Sequence, residues 1–130
     1  FDEGVDLNES GDGSLRLTAV GLQANDNTDE GIALEEADAG DLVATLTAVQ
    51  ARDNGADGFQ AEEGGAGNAR VSITASALAN NDGFGVRVSQ EAPGSGMLIL
   101  RATGLAGNTE GPVSAEGATV AVEISRPVSA

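Results

Sequence analysis

The sequence predicts an all-β chain, an antiparallel β-sandwich of six to seven strands. Three observations carry this reading. Apolar residues alternate with polar ones over short runs, as at Val71, Ile73 and Ala75 against Arg70, Ser72 and Thr74. Turn-forming Gly, Asn, Asp and Pro separate those runs, as at Asn80-Asn81-Asp82-Gly83. No long stretch carries the spacing of an amphipathic helix.

The densest apolar run is Gly96 to Gly104, with Met97, Leu98, Ile99 and Leu100 between glycines. Nine residues are too few for a core helix, so this reads as a central strand with Leu98, Leu100 and Ala102 on one face. Before it, residues 1–13 are acidic and hold the apolar pair Val5 and Leu7; they read as a loop, an N-terminal extension or a donated strand. Leu15 to Ala19 alternates, and a phase slip at Val20 and Leu22 suggests a bulge or a strand end. Ile32 to Ala39 reads equally as one or two helical turns or as a β-connection, because Leu34-Glu35-Glu36-Ala37 are good helix formers.

Leu42 to Val49 alternates with both sides fairly apolar, so it reads as an interior strand. Residues 52–68, rich in Gly, Asp and Glu, read as a long loop that is mobile or holds an assembly or ion site. Strands follow at 69–77 and at Phe84 to Ser89, with Val86 and Val88 facing in. Residues 105–117 read as a loop with a short edge strand at Val113. The last strand places Ala118, Val120, Val122 and Ile124 inward and ends at Arg126-Pro127, since proline cannot extend a ladder. The whole is taken as one domain, residues 1–130, with no internal repeat of 20–50 residues.

Composition narrows the function. The chain has 21 acidic residues against 6 basic ones, a net charge of −15. Residues 1–65 carry 16 acids and 2 Arg, and residues 66–130 carry 5 acids and 4 Arg. Such a surface repels nucleic-acid phosphates and favours salt, divalent cations or basic partners. Leu, Val, Ile and Phe make up 29 of 130 residues. That is just above the ~20% at which a highly charged chain stays disordered, so a thin core is expected, completed by ions or by neighbours. No apolar stretch is long enough to span a membrane. Phe1 reads as a processed terminus or a boundary.

His, Cys, Lys, Tyr and Trp are all absent. Nucleophile–imidazole pairs, thiolate metal sites and Schiff-base chemistry are therefore excluded, and no enzyme is expected. Carboxylate pairs such as Glu35/Glu36 and Glu62/Glu63 read as solvated. The best ion candidate is Asp6, Asn8, Ser10 and Asp12, oxygen donors at alternate positions with Gly11 at the sixth, like the start of a Ca²⁺ loop. Leu17 stands where an EF-hand needs its bidentate acid, so a bound Ca²⁺ would need ligands from elsewhere, such as Asp26 or Asp29. A plain Asx-rich turn is the competing reading. Asn8-Glu9-Ser10 is also a glycosylation sequon. Val5 and Leu7 near one terminus, and Val120, Val122 and Ile124 near the other, are the candidates for pairing with a neighbouring molecule.

The segment Leu100-Arg101-Ala102-Thr103-Gly104-Leu105-Ala106-Gly107-Asn108-Thr109, with Pro112-Val113-Ser114 and Thr119-Val120-Ala121-Val122, resembles the last strands of bacterial immunoglobulin-like domains of surface adhesins. There the Gly-Asn pair is a hairpin turn. The likeness covers about a quarter of the chain, and Gly104 and Leu105 stand where the family has its Asp. It implies a secreted β-sandwich with a structural or adhesive role; the sandwich as a whole is expected to be immunoglobulin-like or jelly-roll-like. The expected role is a non-enzymatic subunit of an extracellular assembly, a pilus-like filament or surface layer. An adhesin module of a larger surface protein and a coat protein of a virus with a halophilic host are the alternatives.

Overall fold

The computed structural model describes residues 3–91, 94–117 and 120–125. Ten strands follow in chain order: β1 (Val5–Glu9), β2 (Leu15–Val20), β3 (Ile32–Glu36), β4 (Leu42–Thr47), β5 (Phe59–Glu63), β6 (Ala69–Thr74), β7 (Phe84–Gln90), β8 (Gly96–Arg101), β9 (Gly111–Glu116) and β10 (Val120–Ser125). Odd strands form one sheet in the order β1-β3-β5-β7-β9, and even strands the other, β10-β8-β6-β4-β2. Every pairing is parallel. The chain is a β-solenoid of about four turns.

The all-β expectation holds, but the antiparallel sandwich, immunoglobulin-like or jelly-roll-like, does not. Consecutive strands lie in different sheets, so the turns between them are corners of a coil. Gly107-Asn108 accordingly sits at a corner between β8 and β9, and is no hairpin. Ile32–Glu36 is a strand, the second of the two readings given for that stretch. Phe59–Glu63 is a strand inside what reads as a loop. The 96–101 strand is interior but next to the edge, and β6 holds the centre. Val5–Glu9 pairs with β3 of its own chain.

The register exposes the repeat that the element-by-element reading missed. Val5 pairs with Ile32, Ile32 with Phe59 and Phe59 with Val86; Leu15 pairs with Leu42, Leu42 with Ala69 and Ala69 with Gly96. Each step is 27 residues, so each turn of the coil is one repeat. The last turn departs from this, with Val120 opposite Gly96, a step of 24.

Stacking puts like residues in columns. Inward columns include Leu34, Ala61 and Val88 on one sheet, and Leu46, Ile73 and Leu100 on the other, all buried. The first column varies in size and the second is uniformly large, so the two facing sheets together fill a narrow interior. Each rung covers the apolar face of the next, so a chain thin in bulky residues still makes a continuous core.

Corners use two further columns. Gly21, Ala48, Ala75 and Ala102 all have positive φ, as do Asp26, Asp53, Asn80 and Gly107. A left-handed residue turns the chain sharply out of the strand, which is how each rung bends. Beside the second corner runs an asparagine ladder. Asn27 Nδ2 donates to Asn54 Oδ1 at 3.0 Å, Asn54 to Asn81 at 2.9 Å, and Asn81 to Asn108 at 2.9 Å. Gly58 stands against this ladder; a Cβ there would lie 2.7 Å from Asn81 Nδ2, so the position admits no side chain. A second ladder holds the opposite corner, where Asp41 N donates to Ser14 Oγ, Asn68 N to Asp41 Oδ1 and Ser95 N to Asn68 Oδ1.

Candidate functional site

Three polar features lie on this scaffold: an acidic cleft on the outer face of the first sheet, a buried glutamate column at a corner, and a groove along the side between the sheets.

The acidic cleft, about 370 Å³, runs over β1, β3 and β5 and takes Asp6, Asn8, Glu35 and Glu62 from outward positions. Of the residues expected to hold Ca²⁺, Asp6 and Asn8 line it, and Asn8 Nδ2 donates to Asp6 Oδ1 at 3.0 Å. Ser10 and Asp12 lie beyond the end of β1, outside that lining. Asn8, the sequon asparagine, is exposed. At one end of the cleft Glu3, Asp29 and Glu30 each bring a carboxylate oxygen within 4.8 Å of the others. Burial pushes the Glu30 carboxyl up to about 7, opposed by its own backbone hydrogen bond and helped by Asp29 and Asp57. One rung on, Asp57 accepts from Phe84 N at 2.7 Å and faces Arg87 at 3.9 Å; burial still raises its carboxyl above the ordinary range. Arg87 Nε donates to Glu116 Oε2 at 2.7 Å.

The glutamate column is made by the same 27-residue step. Glu9, Glu36, Glu63 and Gln90 end β1, β3, β5 and β7. Glu36 and Glu63 are 0% and 1% exposed. In each, Oε1 accepts from a backbone N–H two residues on, Asp38 N at 3.1 Å and Gly65 N at 2.8 Å. Their Oε2 atoms, and that of Glu9, are buried with no hydrogen-bond partner. Burial and then the neighbouring Glu36 raise the Glu9 carboxyl; Glu63 is raised by the same two causes, against the opposing Gly65 N–H. Gln90 is the neutral end of the column and is fully bonded: Oε1 accepts from Ala69 N, and Nε2 donates to Gly67 O and Glu91 O. The next position is Gly117, where the shortened last turn leaves no room for a side chain against Gln90 O. Reading Glu35/Glu36 and Glu62/Glu63 as solvated pairs is therefore corrected for Glu36 and Glu63. Adjacent residues point to opposite faces, and the second of each pair points in.

The side groove, about 620 Å³, is lined mainly by Ala48, Ala75 and Ala102 with Ser76, Ala77 and Gly104. It is open and built mostly of small side chains, with Gln50, Arg52 and Asn80 adding longer polar ones. Nothing in it pairs a nucleophile with a base.

The residues expected to meet a neighbour lie on the end rungs. Leu7 is 37% exposed, Val122 42% and Ile124 53%. Val5 is half-buried, and the side chain of Val120 lies outside the described residues. Compared with family models, curated proteins and solved structures, this chain matches none. Among the described residues, no helix is long and apolar enough to cross a membrane.

Proposed function

We propose that this chain is a non-enzymatic structural rod of an extracellular assembly, joined end to end through the open edges of its terminal rungs. One observation carries the reading: the exposed large apolar side chains lie on the end strands β1, β2 and β10, and all but the outward-facing Val20 belong to columns that are buried on the interior rungs. Leu7, Val122 and Ile124 belong to inward columns, being in register with Leu34, Leu98 and Leu100. Among the described residues no further rung covers them. Interior rungs solve the same problem by stacking, so a further rung is the natural partner for these edges. The lopsided charge adds a direction, since the strongly acidic early rungs would repel one another and favour head-to-tail contact with the later ones.

A second reading, favoured by the same edges, is a rod segment of a longer adhesin whose own chain supplies the neighbouring rungs. Sedimentation and negative-stain microscopy of the isolated 130-residue chain separate the two. Rods or a concentration-dependent series of oligomers support the assembly subunit, with Val122→Lys/Ile124→Lys reducing it to a monomer. A monomer at all concentrations and salt levels removes the first reading.

A further inference from the structure

We propose that the corner where β3 and β5 end binds a hard divalent cation of the Ca²⁺ type between the buried carboxylates of Glu36 and Glu63. The coil sets the spacing. Adjacent parallel strands lie about 4.8 Å apart, so stacked carboxylates recur at that interval. Ca²⁺–oxygen distances are about 2.3–2.6 Å, so an ion midway between two rungs meets one oxygen from each.

The protein leaves those oxygens unanswered. Each glutamate commits Oε1 to a backbone N–H and keeps Oε2 buried without a partner. A buried carboxylate with no counter-charge is strongly unfavourable, so either a cation or a proton shared with the stacked carboxyl must answer it. No arginine lines the adjoining cleft, which measures about 320 Å³ and adds Glu35, Glu62 and Glu91. Glu91 Oε2 and the Glu36 carbonyl both approach Gly64 at the mouth of this cleft. Every donor around the corner is oxygen, the preference of Ca²⁺ and not of thiolate- or imidazole-seeking metals. Gln90 supports the assignment from the other side. Where the column turns neutral, the side chain is satisfied by backbone alone. The rival occupant is a proton shared between stacked carboxyls.

Calorimetric titration of the intact chain with CaCl₂ at neutral pH, against NaCl of equal ionic strength, decides between them. The proposal expects saturable binding and a Ca²⁺-dependent rise in unfolding temperature beyond that of NaCl. Glu63→Gln should lower the affinity by about tenfold or more, while Glu3→Gln/Glu30→Gln should leave it within about twofold. No heat above dilution with the wild-type chain overturns the proposal, and that arm needs no variant to fold. Two other results also overturn it: Glu63→Gln raising the unfolding temperature without metal while Ca²⁺ adds nothing to wild type, the mark of shared protons; or binding lost in Glu3→Gln/Glu30→Gln and kept in Glu63→Gln, which places the ion in the outer acidic cleft.

Discussion

Asn54 Nδ2 donates to Asn81 Oδ1 at 2.9 Å across 27 residues of sequence, and the same Asn54 takes Asn27 Nδ2 on its own Oδ1 at 3.0 Å. Asn54 also accepts from Asn27 N and donates to Ala24 O. One buried side chain thus makes four hydrogen bonds and ties three rungs together. Asn54→Ala orphans Asn27 N and Ala24 O, and should cost about 2–6 kcal/mol at about 1–3 kcal/mol per unsatisfied buried group. Chemical denaturation would measure it. A loss under about 0.5 kcal/mol, the size of an ordinary surface substitution, would show that the ladder does not hold the corner.

Ala75 tests the other corner. Its φ of 53° is left-handed, a conformation costing a residue with a Cβ about 1–2 kcal/mol. Glycine relieves that cost and returns about 0.5–1 kcal/mol through unfolded-state freedom. Ala75→Gly should therefore be neutral to stabilising by up to about 1 kcal/mol. Ala75→Val should be clearly destabilising, since β-branched residues tolerate this region least. Thermal melts of the pair check the order, which an extended backbone at residue 75 would reverse.

The acidic residues set the pH response. Glu30 titrates near 7 in the folded chain against an ordinary value of 4.5. A carboxyl raised on folding contributes stability that is full below the lower value and is lost as pH climbs through the upper one. Glu63 and Asp57 shift in the same direction. Stability in metal-free buffer should thus fall between about pH 4.5 and about 7. Glu30→Gln should flatten part of that slope. Stability rising over this window in urea melts would contradict the assignment.

A solenoid tolerates loss of a whole repeat but not of a fraction. Deleting residues 58–84 joins Asp57 to Gly85 and brings Asn54 under Asn108, so the shortened chain should keep its β-type circular dichroism with a lower melting temperature. Deleting residues 58–77 breaks every column and should abolish folding. Equal behaviour of the two deletions would rule out 27-residue rungs.

Much of the strand content is legible in the sequence. Alternation at Leu42 to Leu46 and at Val71 to Ile73 reflects one buried face, and that pattern is the same in an antiparallel sandwich and in a coil. What separates the two is recurrence at a fixed step. Gly4, Gly31, Gly58 and Gly85 recur every 27 residues, as do Gly13, Gly40, Gly67 and Gly94, and Asn27, Asn54, Asn81 and Asn108. Taken singly, each of these residues looks like turn punctuation, and the apolar positions between them vary too much in size to reveal the period. The hidden strand β5 shows why. Phe59-Gln60-Ala61-Glu62-Glu63 carries a buried glutamate where a strand is expected to be apolar. The same misreading concealed the glutamate column, because charge alone suggests solvent unless the 27-residue alignment of Glu9, Glu36 and Glu63 is seen. The acidic outer cleft was partly legible, as Asp6 and Asn8 alternate on one face of β1.

Thr45 and Ser72 are register partners on the neighbouring parallel strands β4 and β6. The chain has no cysteine, so Thr45→Cys/Ser72→Cys introduces a single addressable pair. Partners on adjacent strands hold their Cα atoms about 5 Å apart, within reach of a disulfide or a short dithiol crosslinker. The solenoid predicts rapid intramolecular crosslinking of this pair, matched by Thr18→Cys/Thr45→Cys one rung earlier. Failure of both pairs to crosslink in a folded chain would contradict rungs stacked every 27 residues.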